Sequence, residues 1–340
     1  MPYHVYVSVS GEGRIAKFTM EKESGALTPG ADIPLPGEPA YAAVHPIRNW
    51  MYVARKEEYC FTAFDIEPDT GELTEIATTP SDANPAYVAV DRTGKYLLSA
   101  SYYSAATSVY PIADNGAVVE KPVEYLNTGI GAHCIHTDPS NRFVFVPHID
   151  NRGGPNTILQ FCFDDTTGRL TPNDPPRVPQ EKGVGPRHFC FHPAKDIVYV
   201  SNEQGSSISV YAFDSVKGTL APLQTLSNLP KDWEGKNTCA QIRVTPDGRF
   251  LYAPNRGHNS LAEYLIDPNS GLLTALGHAS AEKIPRAFQI DPAGKFLLSA
   301  GHESGRLASY RINQETGRLE PMDILPLGAV PMWISILDLG

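Results

Sequence analysis

An apolar-turn-apolar unit that recurs along the chain, seven glycine turns in step with it, and two chain ends that complement each other together predict an all-β fold, a seven-bladed β-propeller. The first pattern reads YAAVHPIRNWMYVAR, YVAVDRTGKYLLSAS, CIHTDPSNRFVFVPH, HFCFHPAKDIVYVSN, QIRVTPDGRFLYAPN and AFQIDPAGKFLLSAG. Its turns fall at His45, Asp91, Asp138, His192, Thr245 and Asp291, steps of 46, 47, 54, 53 and 46 residues, and a further step of 47 reaches Asp338. The second pattern is a glycine before a β-prone stretch, at Gly25, Gly71, Gly116, Gly168, Gly218, Gly271 and Gly317.

Each unit reads as four short strands, A to D, because β-branched and aromatic residues alternate with polar ones between Gly, Pro, Asp and Asn turns. No stretch sustains helical periodicity over three turns, which excludes a helical solenoid, and a parallel β-helix would need a shorter period. The last copy supplies only an A strand, Trp333 to Leu337, while the chain opens on a B-like strand, His4 to Ser8. The ring is therefore predicted to close by the C-terminal A strand joining the N-terminal B, C and D strands, which removes open sheet edges. Residues 1–340 are read as a single domain.

Composition narrows the function. The chain is 41% hydrophobic and 19% charged, with a net charge of -10 and no basic run, which argues against a nucleic-acid surface. Cys60, Cys134, Cys162, Cys190 and Cys239 are odd in number and scattered, as expected of free thiols in the cytoplasm rather than of disulfides or a zinc site. MPYHVYVSVS passes straight into strand-like alternation, without an export or membrane-spanning segment. Neither membrane nor cofactor is expected.

In a propeller the A-to-B and C-to-D turns share one face, and the D-to-A and B-to-C loops share the other. The HP, DP and TP turns fall on the first face, so His45, His192, Asp138 and Asp291 are expected to bond nearby backbone. The second face collects His133, Arg187, His188 and Arg286 before A strands, and Arg55, Lys56, Tyr102, Glu203, Arg256, His302 and Glu303 after B strands. Any one arginine at a strand end is ordinarily a surface charge. Their common placement predicts a concave cationic site for a small anion.

The chain resembles, from its first strand to PMWISIL, the lactonase family of seven-bladed propellers, which includes bacterial 6-phosphogluconolactonase and the fungal carboxy-cis,cis-muconate lactonizing enzyme. GPRHFCFHPAKDIVYVSNE, TPDGRFLYAPNR, PRAFQIDPAGKFLLSAG and the terminal PMW carry the resemblance. It implies a hydrolase that opens a small anionic sugar lactone, with muconate cycloisomerisation as the alternative and a non-catalytic binding propeller as the remoter one. Gly-His and Trp-Asp signatures of binding propellers are absent. The resemblance also implies His133, Arg187, Glu203 and Arg256 as the active site. The loop HIDNRGGPNT is longer than that pattern and is expected to bring Arg152 and His148 to the same mouth.

Lactone hydrolysis needs an activated water, a stabilised oxyanion and a grip on substrate charge. His133 and Glu203, the latter with a raised pKa, are the expected acid–base groups. Arg187 and Arg256 are expected to hold the anion and face the oxyanion. Arg286, His188, Arg55, Tyr102, His302 and Arg152 are expected binding residues. No metal is expected, since His133 and His136 are three apart in a strand and point to opposite faces.

Overall fold

The computed structural model describes residues 1–340, and apart from one short 3-10 turn at Ser10–Glu12 its regular structure is strand. Seven antiparallel sheets follow one another along the chain. Sheet 1 contains Tyr3–Val9, Arg14–Met20 and Leu27–Pro29, completed by Pro331–Leu337, and also takes the two-residue strand Ile33–Pro34. Sheet 2 comprises Pro39–Val44, Trp50–Arg55, Cys60–Ile66 and Leu73–Pro80; sheet 3, Tyr87–Val90, Tyr96–Ser101, Ala106–Pro111 and Glu124–Asn127. Sheet 4 comprises His136–Thr137, Phe143–His148, Thr157–Asp164 and Arg169–Pro179; sheet 5, Pro186–Phe191, Ile197–Asn202, Ser207–Asp214 and Thr219–Ser227. Sheet 6 comprises Arg243–Val244, Phe250–Asn255, Ser260–Ile266 and Leu273–Ser280; sheet 7, Pro285–Ile290, Phe296–Gly301, Arg306–Ile312 and Leu319–Pro326.

The chain groups into two compact units, one of Met1–Asp32, Arg187–Asp214 and Leu220–Asp338, the other of Ile33–Pro186, Ser215–Thr219 and Leu339–Gly340. In the first unit the predicted closure is present: Pro331–Leu337 pairs antiparallel with Tyr3–Val9, with His4 opposite Leu337 and Ser8 opposite Trp333. Its sheets pack face to face. Val5, Val7 and Phe18 meet Leu298, Phe296 and Ile334, while Tyr252 and Phe250 meet Phe288, Leu297 and Tyr310. Each such side chain contributes about 1.5–3 kcal/mol on full burial.

Burial differs by strand position. The second strands, such as FLYAPN at Phe250–Asn255, are buried throughout, whereas fourth strands such as LEPMDILP at Leu319–Pro326 are largely exposed. This is why the second strands read as continuous apolar runs and the fourth strands do not.

The turn residues behave as the sequence predicts. Asp91 accepts from the backbone of Thr93 and Tyr96, Asp138 from Arg142 and Phe143, and Asp291 from Ala293 and Phe296. The Nδ1 of His45 accepts from Ile47 and Arg48 N–H, and that of His192 from Ala194 N–H. The glycine turns have a steric cause as well. A Cβ on Gly317 (φ +70) would lie 2.2 Å from the Phe250 ring, and one on Gly25 (φ +74) 2.5 Å from the Phe296 ring, so a side chain is excluded by space and by backbone conformation alike.

Candidate active site

Four of the predicted residues come together in the first unit. Arg187 lies in the first strand of sheet 5 and is wholly buried, and its Nε donates to Glu203 Oε2 at 2.6 Å. Glu203 follows Ile197–Asn202, the second strand of the same sheet, so a single hairpin sets this pair. Arg256 follows the second strand of sheet 6, and its Nη2 lies 3.1 Å from the same Oε2.

Arg256 is held from behind. Its Nε and Nη2 both donate to Cys239 O, at 3.2 and 2.6 Å, and Cys239 N–H donates to Glu203 O at 3.1 Å. An amide net supports the preceding residue: Asn228 and Asn237 both donate to Asn255 Oδ1, while Asn255 donates to Asn228 O. At Gly257 a Cβ would stand 2.1 Å from Lys236 O, so the connection before Cys239 closes tightly on the turn after Arg256. The Cys239 thiol, fully buried, is pushed up to about 12 by desolvation and stays protonated.

The electrostatics invert one expectation. Burial pushes the Glu203 carboxyl up, but the charges of Arg187, Arg256 and Arg286 together outweigh burial and hold it below the usual carboxylate range. Glu203 is thus an anion across the physiological range rather than a base with a raised pKa. Arg256 is pushed down to about 10, by desolvation first and then by the Arg187 charge, and remains a cation at neutral pH. Arg286, in the first strand of sheet 7, adds its charge to this group while its Nε is buried without a hydrogen-bond acceptor.

His188 is buried beside Arg187, with its backbone N–H on Ser201 Oγ. His302 is half-buried after the second strand of sheet 7, and its N–H donates to Ile284 O. Glu303, the second rim carboxylate, is exposed and paired with Lys283 at 2.7 Å.

The second unit holds the other candidates. Tyr102 lies edge-on to His133, with ring centroids 5.7 Å apart, and to Tyr103 at 4.6 Å; the Arg152 guanidinium sits 5.3 Å from the Tyr103 ring centroid. These four form one aromatic and cationic row. His148 departs from expectation: it is completely buried, bonded through Nδ1 to Val146 O, and desolvation pushes it down to about 4, so it is a neutral core residue. Arg55 is engaged by protein groups, with Nε on Pro36 O and Nη2 on Glu58, both at 2.6 Å.

Sequence reasoning missed Arg243 and Trp333 as partners. The Arg243 guanidinium lies 5.3 Å from the Trp333 ring centroid. A signal existed: Arg243 is a charge in a short inner strand, two residues before the turn at Thr245.

Seven consecutive antiparallel sheets define a propeller, in which arginines gather around a nearly buried glutamate. The family described as Lactonase, 7-bladed beta-propeller matches residues 4–336, and the chain belongs to it. It is 33% identical over 333 residues to the 6-phosphogluconolactonase of Serratia proteamaculans (strain 568), covering 98% of both chains. It is 32% identical over 336 residues to that of Yersinia pestis (strain Pestoides F), covering 99% of this chain and 98% of the relative. Among solved structures, the periplasmic gluconolactonase of Pseudomonas aeruginosa shares the fold with a TM-score of 0.91 at 23% identity, each chain covered completely. No helix is long and apolar enough to cross a membrane.

Proposed function

We propose that this protein is a hydrolase of carbohydrate metabolism that opens a small anionic sugar lactone of the 6-phosphogluconolactone type. The observation that carries the reading is the set of three arginines around an ionised, nearly buried Glu203 in a chain matched end to end by relatives named 6-phosphogluconolactonase. Fixed positive charge in a water-poor site stabilises the oxyanion that forms when water adds to an ester carbonyl. Arg187 and Arg256 supply that charge, and neither has to reorganise, because Glu203 and Cys239 O already hold them.

Glu203 is a poor proton acceptor with its pKa lowered, since base strength falls with pKa. Its role is to position the arginines. His133 keeps the proton-transfer role expected of it, and His133→Asn is predicted to lower kcat by about two to four powers of ten. The partner proposed is the small lactone rather than nucleic acid or membrane. The cytoplasm is the proposed compartment, on the ground of five cysteines that form no disulfide with one another, and cell fractionation tests it. Residues 1–340 are proposed as one domain, for which a single calorimetric transition is expected.

The decisive assay follows ring opening of freshly prepared 6-phosphogluconolactone by the purified protein against spontaneous hydrolysis. Saturable acceleration is expected, and a rate no faster than the blank refutes the reading.

A further inference from the structure

Arg187 and Arg256 already have acceptors within the protein, in Glu203 and Cys239 O. Two other arginines of the same unit make no ion-pair contact, although the charge of Arg286 acts on Glu203 from a distance. The Nε atoms of Arg243 and Arg286 are both buried without a hydrogen-bond acceptor, and no carboxylate is in ion-pair contact with either residue. A guanidinium keeps its charge when desolvated, so a cation placed this way is poised for an anion that the protein does not itself supply.

The two arginines stand in the first strands of neighbouring sheets, 6 and 7. Gln241 Oε1 accepts from Phe288 N–H at 2.7 Å, which sets the first strand of sheet 6 against that of sheet 7. Ala287 and Ile334 in turn share one core between the first strand of sheet 7 and Pro331–Leu337 of sheet 1. Arg243, starting from sheet 6, reaches Trp333 of sheet 1, and sheet 7, which bears Arg286, is packed against both of those sheets. Cation–π attraction to the indole holds the guanidinium without using up any of its N–H donors.

We infer that Arg243, seated on Trp333, anchors the anionic substituent of the substrate, with Arg286 as the second cation, while Arg187, Glu203 and Arg256 serve the ester. This rests on the lactonase reading for its substrate class. It divides the arginines into a pair that binds a remote anion and a pair that acts where charge develops. Binding energy from a non-reacting group then orients the ring.

Calorimetric binding of 6-phosphogluconate and of gluconate to the whole protein tests the assignment without requiring turnover. The protein is expected to prefer the phosphorylated acid. Arg243→Gln should weaken 6-phosphogluconate by about ten- to a hundredfold, the range for a charge-assisted hydrogen bond, and leave gluconate unaffected. Arg243→Lys, which keeps the charge on a less directional group, should fall between, and Trp333→Phe provides a second probe should Arg243→Gln fail to fold. In kinetics, KM for phosphorylated lactone should rise by the same factor with kcat within about twofold.

Equal affinity of the protein for both acids, an unchanged 6-phosphogluconate affinity in Arg243→Gln, or an equal loss for both acids would each overturn the inference. Failure of the unmodified protein to hydrolyse phosphorylated lactone would instead strike the lactonase reading, while the binding comparison would still decide the role of Arg243.

Discussion

Two glutamates of the same unit are both nearly or wholly removed from water, yet they move in opposite directions. Glu203 is drawn below the usual carboxylate range and Glu263 is pushed above it. For each, burial is the largest influence and raises the pKa. Glu263, in the third strand of sheet 6, has only the Leu319 backbone N–H on Oε1 at 2.8 Å and one cation, Arg318, whose side chain is 48% exposed. Glu203 has Arg187, 1% exposed, together with Arg256 and the charge of Arg286. Burial alone therefore does not decide a carboxylate's state. The number of cations desolvated with it does, because a charge still surrounded by water is screened. Glu263 ties one sheet to the next, whereas Glu203 organises a cluster of arginine charges.

The largest effect that would sharpen this contrast is expected from Glu203→Gln, which leaves two buried guanidiniums without their anion. A loss of about 3–5 kcal/mol of unfolding free energy is predicted, read by denaturant titration, together with loss of lactone turnover. A stable, fully active variant would break the comparison. Arg187→Lys comes next. It retains the charge but not the directed N–H geometry, and an increase in KM on phosphorylated lactone beyond the Arg243→Lys effect would contradict the division of roles.

The pH dependence should separate the two glutamates by sign. The stability that Glu203 contributes is fully present above the unfolded carboxylate value of about 4.3, and is lost as pH falls through its lowered folded pKa. Glu263, raised, contributes in the opposite sense: its share is present below about 4.3 and is lost as pH rises through its folded pKa. Unfolding curves from acid to neutral pH should therefore lose one slope in Glu203→Gln and the opposite slope in Glu263→Gln. At neutral pH Glu263→Gln is expected to change stability by no more than about 1 kcal/mol, since the amide oxygen can still accept from Leu319. Arg318→Ala should change it least, by about 0.5 kcal/mol, as expected for a half-exposed ion pair.

Much of the arginine cluster around Glu203 was legible residue by residue. Arg187 and Arg286 stand five residues before their turn residues, His192 and Asp291, and that shared register marked both for one end of an inner strand. Glu203 and Arg256 were marked by their place after second strands. The protonation of Glu203 was misread because it depends on Arg256 and Arg286, which are remote in the chain. The His148 expectation failed for a related reason: loop length suggested a residue at a mouth, but His148 ends a second strand that is buried along its whole length. Arg243 went unnoticed because its partner, Trp333, lies ninety positions along the chain and is brought near only by the closing strand.

The sequence by itself determined the strand repeat, the seven glycine turns and the pairing of the two chain ends, because alternation, turn chemistry and steric exclusion act within a few residues and repeat at a readable period. Tertiary structure alone decided which arginines Glu203 engages, which remain uncommitted, and hence where charge is held or available. Those properties are sums over desolvated groups on separate sheets, and no local pattern in a chain encodes such a sum.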